Sequence, residues 1–131
     1  MRLEGGNVVG VGVDLTEISR IREAHRRHGA AFLDKVFTQE EQALCLAKPD
    51  PYPSLAARFA AKEAVSKALG TGFGAELSLK GVSVLTDEAG APAPRLDGPA
   101  QALLARKGAT RVLISLTHTD ELAEAFAVLV R

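Results

Sequence analysis

The sequence has one cysteine, no net charge and no long apolar run. A single cysteine, Cys45, can neither close an intramolecular disulfide nor build a cysteine-rich zinc site. A reducing, cytoplasmic setting is the simplest expectation. The 16 Lys and Arg residues balance 16 Asp and Glu. That balance argues against a dominant nucleic-acid role, because duplex binders carry a broad basic excess. The apolar stretch Val8 to Val13 is short, interrupted by glycines and closed by Asp14. A membrane helix needs about 20 apolar residues and a signal peptide a longer apolar core. Met1 to Gly6, with Glu4 and two glycines, adds no export signal. The chain also lacks internal repeats and low-complexity segments.

What is present is globular: 47% hydrophobic and 24% charged residues over 131 positions. That size suits one domain, residues 1–131, able to bury roughly two-thirds of its unfolded surface. Valine-rich Asn7 to Val13 predicts a strand. Leu15, Ile18, Ile21 and Ala24 recur at helical spacing over Leu15 to His28, with Asp14 or Thr16 available as cap. Thr38-Gln39-Glu40-Glu41 is a capping box, opening a helix that runs to Ala47 and stops before Pro49. Three prolines then stiffen a connector. Ser54 is expected to cap an alanine-rich helix, Leu55 to Leu69, ended by Gly70. Gly70, Gly72 and Gly74 form a loop.

The last third is β-rich. Gly81 to Thr86 predicts a strand, Asp87 to Pro92 a turn, and Pro94 to Leu96 a short return strand. Pro99 to Lys107 predicts a helix. Val112 to His118 alternates, with Val112, Ile114, Leu116 and His118 on one face, Ala123 to Val130 is another strand, and Thr119-Asp120-Glu121 joins the two as an antiparallel hairpin. The expected class is α+β, an antiparallel sheet packed against helices.

Several residues have chemical potential. Gly10-Val11-Gly12 opens like a dinucleotide fingerprint, but the third glycine position holds Leu15, and no P-loop is present. Asp14 sits where the strand is expected to give way to the helix. It is either a cap or a ligand for a hard cation. Glu63 either pairs with Lys67 on a helix surface or joins Asp14 on one Mg²⁺. Lys62 and Ser66, four apart, share a helix face, with Lys67 beside it and Gly70-Thr71-Gly72 just beyond. Cations, a hydroxyl and a glycine loop next to a carboxylate suit a phosphate-bearing ligand with its metal, and equally a solvated helix with a glycine cap. His118 is either a structural strand histidine or a base. Arg20, Arg22, Arg26, Arg27 and Lys35 face only Glu23 and Asp34 between residues 20 and 35. That is a solvated face or a dock for an acidic protein.

These residues together resemble a family. Gly10-Val11-Gly12-Val13-Asp14-Leu15-Thr16-Glu17-Ile18-Ser19-Arg20 resembles the amino-terminal G-x-D-[x]5-R signature of holo-[acyl-carrier-protein] synthases. Phe37-Thr38-Gln39-Glu40-Glu41 resembles their second-helix opening. Arg58-Phe59-Ala60-Ala61-Lys62-Glu63-Ala64, continuing through Lys67 to Gly70-Thr71-Gly72, matches their central motif. Ser115-Leu116-Thr117-His118 resembles their last signature. One stretch departs: the family's W-x-D-I-E-V is Leu79-Lys80-Gly81-Val82-Ser83-Val84 here, expected to be a structural strand.

The resemblance implies a 4′-phosphopantetheinyl transferase fold and a Mg²⁺-dependent enzyme. Such an enzyme moves the phosphopantetheine arm of coenzyme A onto a serine of apo acyl carrier protein and so serves fatty acid biosynthesis. It implies Asp14 and Glu63 as metal ligands, and Lys67 and Lys62 as contacts to phosphate or leaving group. Ser66, Gly70, Thr71, Gly72, Thr117 and His118 would line the coenzyme A site. The catalytic set is then Glu63, Lys67 and His118. The general base is Glu63 acting through a water, with His118 as the second choice. Arg20, Arg22, Arg26 and Arg27 would dock the acidic carrier. A cytoplasmic homotrimer with active sites between subunits is also implied. Two other classes compete: a non-catalytic module gripping an acidic partner through residues 20–35, and a nucleotide-binding regulator without turnover.

Overall fold

The computed structural model describes residues 6–131; Met1–Gly5, part of the segment read for export signals, lie outside the described residues. Two sheets and five α-helices make up the described chain. Strand β1, Val8–Glu17, pairs antiparallel with β5, Leu122–Val130, which pairs antiparallel with β4, Arg111–His118. The sheet order is therefore β1-β5-β4. The hairpin between β4 and β5 forms as its sequence predicts, and the Thr119 hydroxyl accepts from the amides of Glu121 and Leu122. A second sheet pairs β2, Val82–Thr86, with β3, Pro92–Leu96. No described helix is long and apolar enough to cross a membrane.

Helix α4, Tyr52–Leu69, lies against one face of the three-stranded sheet. Its Ala60, Ala61, Ala64, Val65 and Leu69 share a core with Ala125, Ala127 and Leu129 of β5. Small alanines on both sides let helix and sheet approach closely. Helix α5, Gly98–Arg106, closes the same core with Ala100, Leu103 and Leu104. A second core gathers α1, Ile18–His28, α2, Ala30–Val36, and α3, Gln39–Leu46, around Ile18, Ile21, Leu33, Val36, Phe37, Cys45 and Leu55.

The capping box at Thr38 is complete: the Glu41 amide donates to the Thr38 hydroxyl, and the Glu41 carboxylate accepts from the Thr38 amide. Gly70 ends α4 in the left-handed region, at φ 77°, where a side chain would be strained. Two cap expectations fail. Strand β1 runs four residues past Val13, because Asp14 to Glu17 pair with Ala125 to Leu122. Helix α1 therefore begins at Ile18, whose amide donates to the Glu121 carbonyl, and neither Asp14 nor Thr16 caps it. Leu15 belongs to the strand, 59% exposed on the sheet's outer face, and not to the helix. Helix α4 begins earlier than predicted, at Tyr52 after Pro51, with Pro53 in its first turn, where a missing amide costs nothing. Ser54 is thus inside the helix. Its hydroxyl accepts from Arg58 at 2.8 Å and bonds the buried Cys45 thiol at 3.2 Å.

Candidate active site

Three side chains of the central motifs converge where β1 passes under α4. Period-2 alternation turns Gly10, Gly12, Asp14 and Thr16 toward the helix and Val13 and Leu15 away from it. Asp14 is held by two donors. Thr16 Oγ1 donates to its Oδ2 at 2.8 Å, and Lys67 Nζ donates to its Oδ1 at 3.0 Å. The same ammonium donates to the Val13 carbonyl at 3.1 Å. Lys67 reaches back to Asp14 because helical side chains lean toward the helix amino terminus. It remains half exposed and free to change partner.

Glu63 is half-buried on the same side of α4. Burial pushes its carboxyl above the usual carboxylate range, and the nearby Asp14 charge pushes it further. Lys67 and Arg20 oppose that rise. Asp14, Glu63, Lys67 and Arg20 therefore form one electrostatic unit, although one strand residue and three residues of two helices supply them.

The donor chemistry fits a hard divalent cation. Two carboxylates that disfavour each other's charge become favourable once a cation lies between them. Each carboxylate oxygen has a second lone-pair direction beyond the bonds described. Mg²⁺ takes one or two protein carboxylates and fills its other positions with water and phosphate oxygens. Among the described residues no cluster of three or more His, Cys, Asp or Glu side chains occurs. Asp14 and Glu63 would thus leave most positions around a cation to other ligands.

Lys62 does not join this group. Its side chain is 0% exposed, with Nζ donating to Glu41 Oε1 at 2.7 Å, the Leu79 carbonyl at 2.9 Å and the Val82 carbonyl at 2.6 Å. Three acceptors engage all three ammonium protons, so none remains for a phosphate. Burial pulls this ammonium below the usual lysine range, with Glu41 opposing. The expectation of a phosphate contact is corrected: Lys62 is a structural ion pair. Ser66 is also inside, its hydroxyl donating to the Glu63 carbonyl at 2.7 Å, and so has no free donor for a ligand. Leu79-Val84 is not all strand either. Leu79–Gly81 is a tight 3-10 turn whose carbonyl at Leu79 receives Lys62.

Gly70, Thr71 and Gly72 lie exposed past the end of α4, about 10 Å along the helix from Glu63. The Thr71 hydroxyl donates to the Gly72 carbonyl at 3.1 Å. His118 and Thr117 are elsewhere. They end β4, which β5 separates from β1 by two strand spacings, about 9.5 Å. His118 is exposed and bonds only the Thr119 carbonyl, at 3.2 Å. It lines a separate cavity of about 310 Å³ with Thr117, Lys48, Ser54 and Arg58. Sequence reasoning assigned no role to Arg58 or Lys48. Arg58 is buried, its Nε donating to the Val84 carbonyl at 3.0 Å.

The basic helix is as exposed as its composition implies. Arg26 and Arg27 both lie near Glu23, at 3.7 and 3.9 Å, and are more than two-thirds exposed. Arg22 stacks over the Tyr52 ring, 5.3 Å from its centroid, and the Arg20 charge favours the ionised form of Glu63.

Residues 10–126 match the family model of the 4′-phosphopantetheinyl transferase superfamily. The chain belongs to that superfamily. A holo-[acyl-carrier-protein] synthase of Chlamydia muridarum is 49% identical over 119 residues, covering 91% of this chain and 92% of that protein. The one from Chlorobaculum parvum is 48% identical over 118 residues, covering 90% and 95%. Among solved structures, the synthase of Neisseria meningitidis superimposes with a TM-score of 0.86 at 31% identity, covering 93% of this chain and 98% of that one. The Helicobacter pylori synthase in complex with coenzyme A does so with a TM-score of 0.81 at 30% identity, covering 91% and 98%. The superfamily match takes in Asp14, Arg20, Glu63, Lys67 and His118, all inside its matched residues.

Proposed function

We propose that this chain transfers the 4′-phosphopantetheine arm of coenzyme A to a serine of an apo acyl carrier protein. The products are holo acyl carrier protein and adenosine 3′,5′-bisphosphate. The single observation that carries this reading is the convergence of Asp14, Glu63 and Lys67 in a member of this superfamily. Relatives of nearly the same length bear the name holo-[acyl-carrier-protein] synthase, and one related structure holds coenzyme A.

In the reaction the serine oxygen bonds the pantetheine-side phosphorus, and the pyrophosphate P–O bond breaks. The bonding pair leaves on the adenosine bisphosphate, and the serine proton goes to a base. Asp14 and Glu63 would hold Mg²⁺, which would supply neutralisation of the pyrophosphate charge. Lys67, anchored on Asp14 yet half exposed, turns its ammonium toward the phosphate on which negative charge grows. Glu63 acting through a water is the first choice of base, because it lies beside Asp14 and Lys67 in the group that faces the pyrophosphate. His118 is two strands away in the same chain, so it serves the adenine or phosphate end, with Thr117 beside it and Gly70 to Gly72 along the remaining ligand path.

Arg20, Arg22, Arg26 and Arg27 dock the acidic carrier on α1, by complementary charge. The whole chain, 1–131, acts as one domain in a cytoplasmic setting, in service of fatty acid biosynthesis. The outer sheet face presents Val13, Leu15, Leu113 and Phe126, all at least 44% exposed. An apolar face of this kind supports assembly, and we assign it to a homotrimer in which His118 and Thr117 complete a neighbour's site.

The test incubates the protein with coenzyme A, Mg²⁺ and apo carrier protein. A mass gain of about 340 Da on the carrier serine is expected for transfer of the arm. Binding of the carrier without any gain, unaffected by Mg²⁺, would establish the non-catalytic module instead.

A further inference from the structure

We infer that Gly12 is a positioning residue: its missing side chain lets α4 close onto β1 at Ala64, and this contact holds Glu63 and Lys67 against Asp14. The inference rests on the reading of Asp14 and Glu63 as the metal pair.

The geometry is specific. A Cβ built on Gly12 would lie 2.0 Å from the Ala64 carbonyl oxygen and 2.8 Å from the Ala68 amide nitrogen. A Cβ on Gly10 would lie 2.6 Å from the Ala68 carbonyl oxygen. Both obstacles at these oxygens are helix backbone, so no side chain can rotate away. Neither glycine has a positive φ, so the backbone conformation makes no demand for glycine here. Only the close approach does.

The contacts fall in step. Two strand residues advance about 6.6 Å and four helix residues about 6.0 Å, so Gly10 meets Ala68 and Gly12 meets Ala64 in one antiparallel register. Asp14 is the next residue of the same strand face. Ala64 adjoins Glu63, and Ala68 adjoins Lys67. The two close contacts therefore lie one residue from each helix side chain of the site. A methyl group at Gly12 must lift α4 from β1 beside Glu63. Lifting the helix lengthens the Lys67–Asp14 contact, now 3.0 Å, and parts the two carboxylates. A misplacement of about 1 Å at a reacting centre lowers rates by as much as a hundredfold.

The test uses the full chain with Gly12→Ala, and Leu103→Ala in α5 as a variant that loses stability away from this contact. Thermal unfolding, Mn²⁺ affinity by water-proton relaxation, kcat and KM for the carrier are measured below both unfolding transitions. For Gly12→Ala, Mn²⁺ binding and kcat are each expected to fall about tenfold or more, with KM for the carrier within about twofold. Leu103→Ala is expected to leave Mn²⁺ affinity and kcat unchanged despite a lower Tm. In an Asp14→Asn background, Gly12→Ala is expected to add little further loss of kcat, because both act on one contact. A folded Gly12→Ala protein with wild-type Mn²⁺ affinity and kcat overturns the inference while leaving the metal pair standing. Wild-type protein that binds no Mn²⁺ overturns the metal pair, and the inference with it. Should Gly12→Ala not fold, Gly10→Ala replaces it, with an expected loss of about threefold or more in both quantities; no loss there is equally fatal.

Discussion

At the scale of single residues, the site's chemistry comes from side chains whose neighbours disagree about charge. Glu63 illustrates this. Burial and Asp14 both favour its neutral form, while Lys67 and Arg20 favour the ionised one. Its folded carboxyl holds a proton to higher pH than its unfolded one. Ionised Glu63 therefore costs the metal-free fold stability, and the cost grows as pH rises from the ordinary carboxylate value through the raised one. Glu63→Gln removes that cost. The variant is expected to be more stable than wild type at pH 7 without metal, by less than about 2 kcal/mol, and equal to it at pH 3. Saturating Mg²⁺ should narrow the difference at pH 7, because only wild type has both ligands. Activity should fall by about a thousandfold or more, which the mass assay reads directly. A metal-free Glu63→Gln protein less stable than wild type at pH 7 would show the carboxylate to be held by favourable partners instead. Lys67 lies at Asp14, half exposed, whereas Lys62 is buried away from it, and the difference lies in their partners. In Ala60-Ala61-Lys62-Glu63-Ala64-Val65, a lysine among apolar neighbours signals a buried ammonium. Glu41, twenty-one positions earlier, carried no mark of being its partner.

At the scale of elements, α4 is fixed from two sides. On the sheet side the glycines of β1 let it settle. On the other side Lys62 ties it to α3 through Glu41, and to the start of β2 through the Leu79 and Val82 carbonyls. Glu41 completes the tie, since its Oε2 accepts from the Val84 amide at 2.9 Å while Oε1 closes the capping box at Thr38. One carboxylate thus ends orphan amides at a helix start and at a strand. Lys62→Met keeps the volume and removes the charge, leaving Glu41 buried without its cation. Urea unfolding is expected to show a loss of about 3–5 kcal/mol. A second change, Glu41→Gln, should restore part of that loss. If Lys62→Met alone is neutral, the pair does not anchor α4. The helical spacing of α1, the capping box of α3, the alanine-rich composition of α4 and the valine-rich β1 were legible in the sequence. The start of α1 was not. Leu15 completes a helical spacing, yet pairing of Leu15 with Glu124 across the sheet outweighs that pattern.

At the scale of the whole molecule, the three-stranded sheet has two unlike faces. One buries alanines under α4, and the other presents Val13, Leu15, Leu113 and Phe126. Covering this outer face is where an assembled form gains stability, by roughly 25 cal/mol for each Å² of apolar area removed from water. Leu15→Glu places a charge at its most exposed member. Under the proposed homotrimer, sedimentation is expected to shift from trimer to monomer, with transfer activity falling about tenfold or more, since a neighbour's His118 and Thr117 would be withdrawn. Unchanged sedimentation and activity would remove this face from any role in assembly. The charge balance takes on a different meaning at this scale too. Zero averages over unlike regions of the chain, among them a basic α1 and the Asp14–Glu63 carboxylate pair.

By itself the sequence determined what short-range physics controls. Strand and helix periods, the Thr38 capping box and the Gly70 stop depend on neighbours within a few positions, and so did the motif residues that carry the superfamily resemblance. Tertiary structure alone decided which lysine is half exposed and which is buried, that Asp14 lies within a strand, and that His118 stands two strands from β1. Each of those outcomes depends on partners far along the chain: Glu41 for Lys62, and β5 for Asp14 and for His118. Charge, burial and separation at the site are set by that packing, and no local pattern encodes it.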